Sequence, residues 1–158
     1  MDEGEAHNAQ GLVLWTGKSD VDSLSLAYEC FQKAAHLGHA GAQANLATML
    51  AVGQGAPRDA EQAVSWFLRA ANQGDPTAQF NLAVRYHRAN MRGLTPDAAE
   101  GRIQALMWFL LSCAQNYHKA DEWCDRLRLD MSRDEVLEAA RRAGQFIPCR
   151  EGATAASN

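Results

Sequence analysis

Hydrophobic positions recur along this chain at the spacing of an α-helix. One apolar stripe includes Leu46, Ala47 and Leu50. A second stripe, at i, i+3, i+4, i+7, i+8, consists of Ala63, Trp66, Phe67, Ala70 and Ala71. No segment shows the alternation of apolar and polar residues that is typical of a half-buried strand, so the pattern predicts an all-α protein. The predicted helix pairs are 5–15 with 21–37, 41–52 with 57–73, 76–90 with 96–116, and 118–129 with 133–146.

Turn and cap residues mark where these helices begin and end. Gly53 and Gly55 lie in a GQGAP segment, where two glycines permit a sharp turn with positive φ, and Pro57 suits a first helical turn. Thr95 is predicted to cap a helix that starts with the following proline. Ser132 begins an S-x-x-E capping box.

The chain also repeats itself. The segment AQANLA at 42–47 returns as AQFNLA at 78–83, an offset of about 36 residues, which is typical of helical solenoids. The next copy follows at an offset of about 42, with Trp66 and Phe67 matching Trp108 and Phe109. The additional residues are expected to enlarge the connection between helices around 93–101.

The repeated unit reads A-x-x-x-L-[AG]-x-x-[LY], then G-x-G-x-x-x-D, then A-x-x-W-[FY]-x-x-A-A-x-x-G. It resembles the Sel-one-like repeat (SLR), a helix-turn-helix relative of the tetratricopeptide repeat. The resemblance implies an α/α superhelix of about four antiparallel helix pairs, whose first helices line a concave face. It also implies a generic scaffold that binds other proteins.

A concave groove places candidate binding residues on the first helix of each unit. If Leu46, Ala47 and Leu50 pack inward, 3.6 residues per turn put a neighbouring set of positions on the groove side. The candidates from this argument are Ala44, Thr48, Phe80, Val84, His87, Glu122 and Arg126. Phe80 and Val84 would form an apolar centre with a polar rim. The alternative for Phe80 is a place in the core between repeats.

Two asparagines recur at one repeat position, Asn45 and Asn81. In tetratricopeptide relatives an asparagine there can hydrogen-bond a bound peptide, and Arg85 and Lys119 could add charge. The alternative is a structural role, in which each asparagine bonds a neighbouring helix, because buried polar groups need partners.

Composition limits the range of functions. A length of 158 residues with 47% apolar residues fits one folded domain, expected at 1–146, followed by a flexible tail at 147–158. A net charge of −4 disfavours nucleic-acid binding, which needs a concentrated basic surface. No apolar run approaches the ~20 residues that span a bilayer. We expect a cytoplasmic monomer, or a periplasmic or secreted protein if an export signal has been removed.

Four cysteines are the remaining candidates for chemistry. Cys30, Cys113 and Cys124 align with packing positions of the repeat, where a cysteine acts as a small hydrophobe. Reduced thiols are expected, and the alternative is one bridge of Cys113 or Cys124 with Cys149. No spacing typical of a metal site or of a catalytic motif is present, so we expect no catalytic residues, metal or cofactor.

The sequence therefore predicts a non-catalytic adaptor that holds a peptide or helix of another protein in its concave groove. Two alternatives remain open. One is an exported SLR protein with an activity toward a small molecule or glycan, and the other is a structural protein that assembles with itself end to end.

Overall fold

A computed structural model describes residues 2–17 and 20–149, and these form eight α-helices without a strand. The helices are α1 (Glu3–Thr16), α2 (Val21–His36), α3 (Ala40–Val52), α4 (Ala60–Asn72), α5 (Pro76–Met91), α6 (Ala98–Cys113), α7 (Lys119–Leu129) and α8 (Arg133–Gly144). The all-α prediction and its order of helices are confirmed.

The chain divides into two compact units. The first unit contains α1–α4 together with Cys149, whose backbone N–H donates to the Asn72 carbonyl at 2.8 Å. The second unit contains α5–α8. The single domain at 1–146 stays a prediction, and residues 150–158 of the predicted tail lie outside the described residues.

The first unit is built around large side chains that fit between small ones. The side chains of Phe31, Leu46 and Met49 are fully buried, and Trp15 meets the Phe31 ring edge-on with 5.6 Å between centroids. A Cβ on Gly11 of α1 would come within 2.7 Å of the Phe31 ring. Because glycine leaves that space free, α1 can pack closely on α2.

In the second unit α6 is central, since α5, α7 and α8 all pack against it. Leu82, Leu106 and Phe109 are fully buried there. The polar side of α8 is joined to α6 by ion pairs of Arg102 with Glu135 and of Arg142 with Glu100. Phe146, which follows α8, also packs against Trp108 of α6, with 5.8 Å between ring centroids.

Most predicted turn and cap features are present, with two corrections. Gly53 and Gly55 have φ of +84° and +70°, and the capping box at Ser132 is complete. Pro57, however, lies outside α4, which begins at Ala60 after an Asp59 cap. Thr95 is not a cap either: the Asp97 carboxylate accepts the Ala99 and Glu100 amides, and Thr95 Oγ1 donates to Asn90 Oδ1. An aspartate next to the first helical turn provides a charged acceptor that threonine cannot supply.

The extra residues of the longer copy lie in its helices, not in an enlarged connection. Helices α3 and α4 have 13 residues each, whereas α5 and α6 have 16 each. The expected long loop around 93–101 is therefore wrong. Its flanks are rich in alanine and other helix-compatible residues, so they extend α5 and α6 by about one turn each.

Candidate functional site

Five aromatic rings form a continuous row in the second unit. Phe80 contacts both Tyr117 and Phe109, with centroid distances of 5.2 and 5.7 Å. Trp123 stacks on Phe109 at 5.6 Å with 13° between the planes, and His87 meets Trp123 edge-on at 5.4 Å. Such contacts stabilise the rings beyond the area they bury, so they fix the positions of the rings within the fold.

Three elements contribute these rings. Phe80, Val84 and His87 lie at i, i+4 and i+7, which is one face of α5. Phe109 of α6 is fully buried and forms the floor under the row. Beyond α6, Asn116 adopts a left-handed φ of +61°, a conformation that asparagine tolerates better than most residues, and the chain then turns to place Tyr117 against Phe80.

We define the aromatic surface as the half-buried side chains above this floor: Phe80, Val84, His87, Tyr117 and Trp123. Each is held by neighbours and still partly accessible. Aromatic side chains of this kind dominate the binding energy of protein interfaces, because they bury a large area without losing much freedom.

Charged groups of both signs lie near His87 at one end of the aromatic surface. Burial and the nearby Arg126 guanidinium lower the pKa of His87, and Asp130 opposes this only in part. His87 is therefore neutral at pH 7, since its pKa moves below the ordinary value near 6.5. Arg126 and Asp130 lie near enough to His87 to act on its pKa in opposite directions, and Arg85, Lys119 and Glu122 are exposed.

Among the predicted groove residues of the second unit, Phe80, Val84 and His87 share one face of α5, and Arg126 lies near His87. Phe80 satisfies parts of both alternatives, because it packs on the buried Phe109 and keeps an accessible portion. Asn81 uses its side-chain amide to donate to the Thr77 carbonyl of its own helix at 2.9 Å. Sequence reasoning missed Tyr117 and Trp123. The only signal in the sequence is a pair of aromatic residues flanking the start of α7.

The predicted groove residues of the first unit are engaged internally. Ala44 is only 2% exposed and offers a partner little surface. Asn45 donates to Asn8 Oδ1 at 3.1 Å, and Thr48 donates to the Ala44 carbonyl at 2.9 Å. The contact of Asn45 with α1 favours the structural alternative for this residue.

Other site chemistry was sought throughout the described ranges. A cleft of about 410 Å³ in the first unit is lined by Glu3, His7, Gln32, Lys33, His36 and Leu37. Within residues 2–17 and 20–149, no group of three or more His, Cys, Asp or Glu side chains could hold a metal ion. Among the helices described, none is long and apolar enough to cross a membrane.

Comparison with known proteins identifies the repeat. The family model described as the Sel1 repeat matches residues 5–39, 40–75 and 76–117. The chain belongs to the Sel1 repeat family. The boundary between the second and third Sel1 repeats coincides with the boundary between the two compact units. The third match is also the longest, which agrees with the lengthened α5 and α6.

Solved structures with the same fold include two from bacteria. One is c5321, a protective antigen present in uropathogenic Escherichia coli strains that displays an SLR fold, with a TM-score of 0.74 and 27% identity over 91% of this chain and 30% of that one. The other is a Sel1 repeat protein from Oxalobacter formigenes, with a TM-score of 0.64 and 24% identity over 90% of this chain and 55% of that one. The chain thus spans about a third and about half of these proteins. The comparison with curated proteins found no match.

Proposed function

We propose that this Sel1 repeat protein is a non-catalytic adaptor that binds a segment of another protein on the aromatic surface of its second unit. Proteins of this family are typically protein-interaction scaffolds. The observation that supports this location is the row of fixed, partly exposed rings from Tyr117 to His87. A surface of this kind suits recognition of apolar side chains.

The surroundings of the rings indicate the chemistry of the partner. An apolar or aromatic side chain can lie across Phe80, Val84 and Trp123 and displace water from them. Arg126 lies near His87, and Arg85 and Lys119 are further exposed cations of α5 and α7, so an acidic residue beside that apolar anchor gains favourable charge pairs with them. The proposed ligand is therefore a short peptide or helix with one large apolar residue flanked by carboxylates.

The first unit lacks the aromatic side chain and the valine that the second unit has at the corresponding positions. Ala44 stands where α5 has Phe80, and Thr48 stands where it has Val84. Ala44 is buried and the Thr48 hydroxyl already has an acceptor in its own helix. The same repeat position thus carries an aromatic anchor in one unit and a packing residue in the other.

The test is a selection from a displayed random-peptide library, followed by titration of the enriched peptides into ¹⁵N-labelled protein. The chain has four tryptophans, each with one indole N–H signal. We expect the signal of Trp123 to shift with a saturable dependence on peptide, while those of Trp15 and Trp66 in the first unit stay in place. Enriched peptides should combine an apolar anchor with Asp or Glu.

A pair of surface variants sharpens the result. Val84→Asp with Arg126→Glu changes the proposed surface, whereas Val13→Asp with Lys33→Glu makes the same chemical change on exposed positions of the first unit. The first variant should lose peptide binding by tenfold or more, about 1.4 kcal/mol, and the second should retain it. Equal binding by the two variants, both folded by circular dichroism, would show that the aromatic surface is not the site.

A further inference from the structure

Two cysteine side chains of the second unit lie in contact. Cys113 is the last residue of α6 and Cys124 lies in the middle of α7, and their Sγ atoms are 3.3 Å apart. We propose that these two residues are an oxidation site, at which a small-molecule disulfide of the glutathione class converts both thiols into one disulfide that joins α7 to α6.

The geometry favours this pairing over the others that four cysteines allow. A disulfide has an S–S distance of about 2.05 Å, so the two sulfur atoms need to approach each other by only ~1.3 Å. Cys30 and Cys149 belong to the first unit. Within the second unit, therefore, Cys124 is the partner already placed beside Cys113.

The exchange balances with one small-molecule disulfide as the only added reactant. Cys113 is half-buried and loses its proton, and its thiolate attacks the small disulfide, which releases one thiol and leaves a mixed disulfide on Cys113. The Cys124 thiol then loses its proton and attacks the Cys113 sulfur, which releases the second small thiol. The protein gives up two protons and two electrons, and one small disulfide becomes two thiols.

The environment sets the expected rate. Burial is the main cause that raises the pKa of both Cys113 and Cys124 above the usual value. Little thiolate is then present at neutral pH, and exchange should be slow and should accelerate as pH rises. Such a pair acts as a slowly formed link, not as a rapid sensor of oxidants.

The link would also affect the aromatic surface. Residues 113–124 form the loop that the disulfide closes, and this loop contains Tyr117 and Trp123. Oxidation would hold both rings more firmly against Phe80 and Phe109. This consequence rests on the proposed function, whereas the disulfide itself does not.

Peptide mapping of the whole chain tests the disulfide directly. Trypsin cleaves after Lys and Arg, so each cysteine falls on a separate peptide: 19–33, 103–119, 120–126 and 143–150. The native protein is incubated with oxidised glutathione at about pH 8.5, near the pKa of a free thiol. Remaining thiols are then alkylated, and the digest is analysed by mass spectrometry without reduction.

We expect peptides 103–119 and 120–126 to be joined, with a mass two hydrogens below their sum. The double variant Cys30→Ser with Cys149→Ser should give the same joined peptide, and Cys124→Ala should leave glutathione attached to Cys113. A link from either peptide to 143–150, or stable glutathione adducts on both cysteines of the unsubstituted protein, would overturn the proposal. So would full alkylation of both thiols after prolonged oxidation. None of these readouts involves a partner, so a failure here is distinct from a failure of peptide binding.

Discussion

Replacement of Gly55 by alanine should lower the free energy of unfolding more than the same replacement at Gly53 or Gly93. Gly55 has φ of +70°, in the left-handed region that costs an L-residue about 1–2 kcal/mol. A Cβ there would also overlap the Leu24 carbonyl oxygen and lie 2.9 Å from the carbonyl carbon and 3.0 Å from Met49 Cε. Because the obstacle is mainly the backbone of α2, a side-chain rotation cannot relieve it.

The magnitude follows from adding these two costs. Displacement of a packed backbone typically costs about 1–3 kcal/mol, by analogy with oversized core substitutions. Together with the left-handed conformation, Gly55→Ala should lose about 2–5 kcal/mol, a large fraction of the stability of a small unit.

Two other glycines provide matched controls. Gly53 lies in the same turn with φ of +84°, and an added Cβ would be 3.2 Å from Arg58 Cβ, which is tight but adjustable. Gly93 has φ of +66° and nothing within 4 Å. We expect Gly93→Ala to cost about 1–2 kcal/mol, the conformational cost alone, and Gly53→Ala to fall between Gly93→Ala and Gly55→Ala.

The measurement is urea unfolding followed by circular dichroism, with amide hydrogen exchange of proteolytic peptides to assign the loss to one unit. Exchange should accelerate in peptides from α2–α4 of Gly55→Ala and stay unchanged in peptides from α5–α8. If Gly55→Ala were no less stable than Gly93→Ala, the steric part of the reasoning would be refuted.

Three further outcomes are expected in the second unit. The pKa of His87 is lower in the folded state than in the unfolded state, so the protein loses stability as pH falls from about 6.5 through the lower value. The urea midpoints at pH 7.5 and 5.5 should therefore differ less in His87→Gln than in the unsubstituted protein. Trp123→Ala removes the ring stacked on Phe109 and should cost about 2 kcal/mol, less than truncation of a fully buried tryptophan; a urea midpoint equal to that of the unsubstituted protein would contradict the stacking. Arg141 and Arg142 lower the pKa of Glu138 to about 2, so carboxyl titration by NMR should find it there and should find it higher in Arg142→Gln.

The repeat made the helices predictable, because a match between copies gives both the register and the apolar face of each helix. The capping box at Ser132 was also predictable, because it depends only on residues three apart in sequence. The lengthening of α5 and α6 was not predictable. Insertion of six residues near glycine and proline suggests a loop, and only the structure shows that Asp97, not Thr95, caps α6.

The candidate site was partly predictable for a related reason. Phe80, Val84 and His87 share one helical face, and the repeat register identified that face. Tyr117 lies in the turn after α6, and Trp123 lies on α7. Their contacts with the surface join different elements, and the spacing of apolar residues within one helix does not predict such contacts.

Specific recognition in a repeat fold has to come from positions where the copies differ. The backbone of each unit is similar, so residues shared by the copies, such as Leu46 and Leu82, serve packing that every unit needs. The position of Phe80 is alanine in the preceding copy and glutamate in the following one, which shows that packing does not dictate its identity. Phe80 packs on Phe109 and Tyr117 and keeps an accessible portion, so the proposed function gives it a binding role in addition to its packing. Exchange of Phe80 and Val84 for their first-unit counterparts, alanine and threonine, should lower stability without loss of the helical fold and should abolish peptide binding.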